Sequence, residues 1–134
     1  MDNLSLVKKS VEARSLAYAP YSNFLVGAAL LGANGQVFLG ANIENAAFTP
    51  GTCAERSAFA VAITSGVRQF NAIAVAGWHS DKESGQAFPC GVCRQFMVEF
   101  CKKDFTILIA QGGNNYTVHT LGELLPNSFG PNDL

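Results

Sequence analysis

LVGAALLGANGQVFL, residues 25–39, holds two apolar runs separated by Asn34-Gly35. That dipeptide accepts the positive φ angles of a two-residue hairpin turn, so the segment reads as two antiparallel strands, 25–31 and 37–39. Upstream, Leu4, Val7, Val11 and Tyr18 fall on one stripe of a 3.6-residue period, with Lys8, Lys9, Glu12 and Arg14 mostly elsewhere. This predicts a helix that ends before Pro20. Downstream, residues 42–52 are irregular and contain Pro50-Gly51. A helix follows from Cys53 to about Ser65, with Arg56, Phe59, Ala60 and Ile63 on its buried face and Gly66 as terminator. Residues 72–77, AIAVAG, have the unbroken apolar look of a strand covered on both faces. Pro89-Cys90 opens another helix, to about Cys101, whose apolar side carries Cys93, Phe96, Met97 and Phe100. Residues 106–110 make a buried strand, 112–115 a turn, 116–120 an edge strand and 121–125 a last helical turn. The order predicts one α/β domain over 1–134, with a mixed five-stranded sheet packed between helices.

Composition narrows the function. The 134 residues are 49 % hydrophobic and 14 % charged, which excludes disorder and fibrous repeats. So little charge also hints at surface buried against other subunits. Nine Lys and Arg against ten Asp and Glu give a net charge of -1, unlike a chain built to grip phosphate backbones. No apolar run approaches the ~18 residues of a membrane span. Met1-Asp2-Asn3-Leu4 does not open a secretory signal, so the cytoplasm is the expected compartment. There, four cysteines read as metal ligands, reactive thiols or core packing rather than disulfides.

Three of these cysteines share a setting. Cys53 and the pair in Cys90-Gly91-Val92-Cys93 all lie at helix N-termini, which stabilise thiolate over thiol. A C-x-x-C alone reads as a dithiol redox pair or as half of a zinc site. Three thiolates suit a catalytic zinc, which keeps its fourth position for water. Cys101 lies roughly 12 Å along the helix from Cys93 and cannot share an ion with it. His79 and His119 follow apolar strands and read as ordinary surface residues. A cation is needed near three negative sulfurs, and Arg56 is the only Lys or Arg in the first turn after Cys53. Glu55 suits the helix dipole in any protein. Beside a metal ligand it also suits a proton-transfer base.

Cys53-Ala54-Glu55 followed by Pro89-Cys90-Gly91-Val92-Cys93 is the zinc deaminase signature, with Cys in place of its first His. Tyr21-Ser22-Asn23-Phe24, Val26-Gly27-Ala28-Ala29-Leu30, Asn42-Ile43-Glu44-Asn45, Arg94-Gln95, Leu124-Leu125-Pro126 and Phe129-Gly130 extend the match along the chain. The sequence resembles the homotetrameric zinc-dependent cytidine deaminases. That resemblance implies their three-layer α/β fold and one Zn2+ per chain, held by Cys53, Cys90 and Cys93. It implies Glu55 as proton shuttle and Arg56 as hydrogen-bond donor to the thiolates. The Ala54 carbonyl would meet the amino group of the base, and Phe24 would pack on the pyrimidine. Asn42 and Glu44 would bond the ribose 3′-hydroxyl. Tyr21, Phe48 and Phe129 would contribute across subunit interfaces, Phe48 standing where the family commonly has tyrosine. The implied reaction turns cytidine and deoxycytidine into uridine and deoxyuridine, with loss of ammonia at C4. A deaminase of a related cytosine nucleoside such as blasticidin S is the alternative. It lacks a counterpart of Asn42-Ile43-Glu44-Asn45.

Overall fold

The structure, a computed structural model, describes all of residues 1–134. Its elements run α1 (Asn3–Ala13), β1 (Phe24–Gly32), β2 (Val37–Ala41), α2 (Ala54–Thr64), β3 (Phe70–His79), α3 (Gly91–Phe100), β4 (Thr106–Gly112), β5 (Asn115–Thr120) and α4 (Leu121–Leu124). The strands form one sheet in the order β2-β1-β3-β4-β5. β1 pairs antiparallel with both β2 and β3, and β4 antiparallel with β5. β3 and β4 are parallel, because the chain crosses over through α3 between them.

The strand period of two divides β3 between two cores. Ile73 and Val75 face α2 and α3, where they pack with Phe59, Met97, Leu30 and Ile107. Ala74 and Ala76 face α1, where they pack with Leu6, Val7, Leu108 and Trp78. The molecule is therefore three layers, α1 on one face of the sheet and α2 with α3 on the other. Two glycines allow the layers to close. A Cβ on Gly27 would collide with the Ser10 carbonyl of α1, and one on Gly40 with the Ala54 carbonyl and the Ala58 amide of α2. Gly40 thus lets the first turn of α2 lie directly on β2.

Three sequence expectations give way. Tyr18 is not on the α1 stripe: the helix ends at Ala13, a short 3-10 turn follows, and Tyr18 is exposed. Its backbone instead exchanges hydrogen bonds with Asn42 and Glu44. That pairing, with Pro20 close behind, outweighs continued helix. The hairpin loop is wider than two residues, and among its residues only Gly35 has positive φ, 88°. The buried face of α2 is Ala54, Glu55, Ala58, Phe59 and Ala62, whereas Ala60 is exposed and Arg56 and Ile63 are half-buried. Close approach at Gly40 brings Ala54 and Ala58 against β2, and Phe59 stays buried as the periodicity predicts.

Candidate active site

A cleft of about 640 Å³ opens where the start of β1, the loop 42–52 and the first turn of α2 meet the segment ending at Phe88. Cys53 is the N-cap of α2 and Cys90 the N-cap of α3, and neither side chain caps its helix. Their sulfurs are left to face each other. Cys93, one turn into α3, joins them, and the three Sγ atoms lie within 4.8 Å of one another. The Cys53–Cys90 separation is 3.8 Å. Thiolates about 2.3 Å from a tetrahedral zinc sit about 3.8 Å apart, so the spacing fits the ion. Two helix N-termini converge on this point and favour negative charge there.

Arg56 supplies the expected cation, its Nη2 donating to Cys53 Sγ at 3.5 Å. A hydrogen bond from Cys93 and this guanidinium hold the Cys53 thiol down to about 5, against the opposing effect of burial. The shared contact with Cys53, together with burial, pushes Cys93 up. Cys101 stands apart at the far end of α3, half-buried, where burial pushes its thiol up to about 12. Neither histidine joins the sulfur cluster. His79 packs edge-on against Phe24 and His119 against Phe88, each at 5.0 Å between centroids.

Glu55 lies in the first turn of α2, 4 % exposed, at the wall of the cleft. Burial pushes its carboxyl up to about 7; its own backbone N–H and Arg56 pull the other way, and Cys53 adds to the rise. A carboxyl poised there both accepts and returns a proton near neutral pH. Ala54, also fully buried, lines the same wall.

Asn42 and Glu44 reach the cleft, already engaged. Asn42 Oδ1 accepts from the Val26 N–H and Nδ2 donates to the Phe24 carbonyl, both at 2.9 Å. The side chain thereby extends the β1–β2 ladder past Ala41. Glu44 Oε1 accepts from the Tyr21 and Ser22 amides at 3.0 and 3.1 Å, and Oε2 from the Ser22 hydroxyl. That hydroxyl, chiefly, holds the Glu44 carboxyl below its usual range. An amide and a carboxylate keep further lone pairs and a proton for a ligand. Phe24, Phe48 and Tyr21 line the cleft, Phe48 being 83 % exposed with φ 61°. Phe129 does not line it: it is 60 % exposed on a tail lying along α3. Sequence reasoning missed Phe88 and Ser22. The first carried a signal, an aromatic residue directly before Pro89-Cys90, and the second only the tertiary contact with Glu44.

Residues 1–109 match the family model described as "Cytidine and deoxycytidylate deaminase zinc-binding region". The chain is 43 % identical over 134 residues to a cytidine deaminase of Sporosarcina psychrophila, covering all of this chain and 96 % of that one. It is 42 % identical to the cytidine deaminase of Halalkalibacterium halodurans, covering 100 % and 98 % respectively. The solved cytidine deaminase of Burkholderia pseudomallei superimposes with TM-score 0.88 at 42 % identity, over 96 % of this chain and 100 % of that one. That of Mycobacterium tuberculosis gives 0.81 at 32 % identity, over 97 % and 98 %. Fold, three-cysteine cluster and sequence agree, and the chain belongs to the zinc-binding family of cytidine and deoxycytidylate deaminases.

Proposed function

We propose that this chain hydrolyses cytidine and deoxycytidine to uridine and deoxyuridine, releasing ammonia. The observation that carries the reading is a buried carboxyl, Glu55, lining one cleft with Cys53, whose sulfur converges with those of Cys90 and Cys93. Its relatives bear the name cytidine deaminase, which the geometry suits.

Cys53, Cys90 and Cys93 would hold one zinc per chain, and Arg56 would offset part of the negative charge of their thiolates. When bound there, the ion would supply the Lewis acidity that makes water a nucleophile near neutral pH. Glu55 would pass one proton of the attacking water to the ring nitrogen, then take the second from the hydroxyl formed at C4 and pass it to the departing amine, which leaves as ammonia as the C4 carbonyl forms. Its carboxyl, near 7, suits both directions. The Ala54 carbonyl accepts from the amino group at C4, and Phe24 packs on the ring. Asn42 and Glu44 bond the sugar with the hydrogen-bonding capacity they retain.

The cleft favours a nucleoside over a nucleotide. Arg56 is its only lining cation, and Glu44 and Glu55 are acidic, so a phosphate would meet more repulsion than attraction. The same polar residues oppose the blasticidin alternative, because Asn42 and Glu44 form a hydroxyl-reading edge. Exposed Phe48 and Phe129 support a homotetramer in which neighbours complete each cleft, with Tyr21 at the same rim. Four free thiols suit the reducing cytoplasm, and we take 1–134 as one catalytic domain.

Assays of cytidine, deoxycytidine, cytosine, dCMP and blasticidin S on one preparation test the substrate. Cytidine and deoxycytidine should turn over, and free cytosine very poorly, because the base alone forgoes the hydrogen bonds that Asn42 and Glu44 offer the sugar. Comparable rates on cytosine and cytidine would remove Asn42 and Glu44 from sugar reading. X-ray absorption should find three sulfurs and one lighter atom about the zinc; four sulfurs would end the deaminase reading. Sedimentation should show a tetramer, and a monomer that retains full activity would refute shared clefts.

A further inference from the structure

We propose that Arg94 is a positioning residue for Cys90, setting how firmly the cysteine cluster retains its metal. The proposal rests on the reading of Cys53, Cys90 and Cys93 as zinc ligands.

Two peptide planes flank the Cys90 Cα, and Arg94 holds both. The carbonyl before Cys90, that of Pro89, accepts from Arg94 Nε at 2.7 Å. The carbonyl after it, that of Cys90 itself, accepts from the Arg94 backbone N–H at 3.0 Å. Together they fix Cys90 at φ -68° and ψ 168°. Those angles set the direction of its Cα–Cβ bond and so the placement of Sγ.

The guanidinium is itself anchored. Arg94 Nη1 donates to the Leu124 carbonyl of α4 at 2.6 Å, tying the cysteine turn to the last turn of α4. Backbone bonding alone would hold only the Cys90 carbonyl, since the Pro89 carbonyl precedes the helix. Cys90 is also exposed, with no core packing around it to replace these bonds. Cys93, by contrast, is buried in the core formed with α2. Cys90 therefore depends more than Cys93 on hydrogen bonds to its backbone.

The adjacent residue provides a control. Gln95 Nε2 donates to the Phe129 carbonyl at 2.8 Å, so it also fastens the tail, but not the Cys90 turn. If the tail as a whole braces the metal site, loosening Phe129 acts like loosening Leu124. If Arg94 acts through Cys90, it does not.

The test is zinc release from the purified holoprotein into a chromophoric chelator, at a temperature well below the melting point of every variant. Zinc content is measured first. A parent protein without bound zinc refutes the metal reading itself, separately from the role of Arg94. Arg94→Met should release zinc about 10- to 100-fold faster, the range for losing a group that orients a metal ligand. Arg94→Lys should fall between parent and Arg94→Met, because an ammonium does not span both carbonyls as the planar guanidinium does. Gln95→Ala should release zinc at the parental rate. Cobalt-loaded Arg94→Lys should show altered thiolate-to-metal absorption, a readout that thermal stability alone does not move. Parental release from Arg94→Lys together with a parental cobalt spectrum would overturn the proposal. Equal acceleration by Gln95→Ala would overturn it too, assigning the effect to the tail.

Discussion

Replacing Glu55 with Gln separates catalysis from stability by giving the two effects opposite signs. A folded carboxyl near 7 against an ordinary value of 4.5 binds its proton more tightly than the unfolded chain does. Folding stability from this group is therefore fully present below about 4.5 and is lost as pH rises through 7. Between pH 5 and 8 that loss is about 2.5 kcal/mol. The substituted amide cannot ionise and escapes it. Burying that amide still costs something, about 1–3 kcal/mol if unpaired, but equally at every pH. In chelator-stripped protein, urea unfolding at pH 5, 6.5 and 8 should show Glu55→Gln gaining on the parent as pH rises. Activity of the zinc-loaded variant should meanwhile fall at least 10²–10⁴-fold, the usual worth of one acid–base group. Bound zinc should stay the same. A glutamate serving only its helix dipole would instead lose less than about 1 kcal/mol on replacement and leave activity standing. Parallel stability curves for the two proteins, or a variant above roughly a tenth of parental activity, would refute the account of Glu55.

Other substitutions test how the cleft is held. Asn42→Ala breaks two hydrogen bonds to β1 and should destabilise the fold by about 1–3 kcal/mol. It should also weaken binding of ligands that lack a sugar, because Phe24 loses its anchor; ring-only inhibitors unaffected by the change would show that Asn42 serves the sugar alone. Gly40→Ala places a methyl against the α2 backbone and should cost several kcal/mol in urea unfolding, on the order of other overpacked cores. Cleft and sulfur cluster would both suffer, so zinc content should fall as well. Chelation of the parent should lower its melting temperature, and added zinc should restore it in proportion to the logarithm of free zinc.

The three layers were legible because the central strands are marked by unbroken apolar runs. Residues 72–77 lack polar breaks, and the structure covers β3 on both faces. What escaped were decisions made by backbone proximity. The buried face of α2 is defined by Ala54, Ala58 and Ala62, small residues that hydrophobic periodicity undervalues next to Ile63. Ala54 and Ala58 lie against Gly40, a contact between residues far apart in sequence. Tyr18 left its helical stripe for the same kind of reason, a backbone bridge to residues 42 and 44.

The rotation of α2 bears directly on chemistry. With Ala54 and Ala58 against β2, Glu55 is carried into the protein and Arg56 to its border. Burial is what brings the Glu55 carboxyl near 7. Partial exposure costs Arg56 less desolvation while it still reaches Cys53. Had the helix buried Arg56, Phe59, Ala60 and Ile63, the carboxyl would have turned toward water and titrated as an ordinary glutamate. Gly40 admits the backbone of α2 against β2, on the same turn of helix that carries Glu55 into the protein.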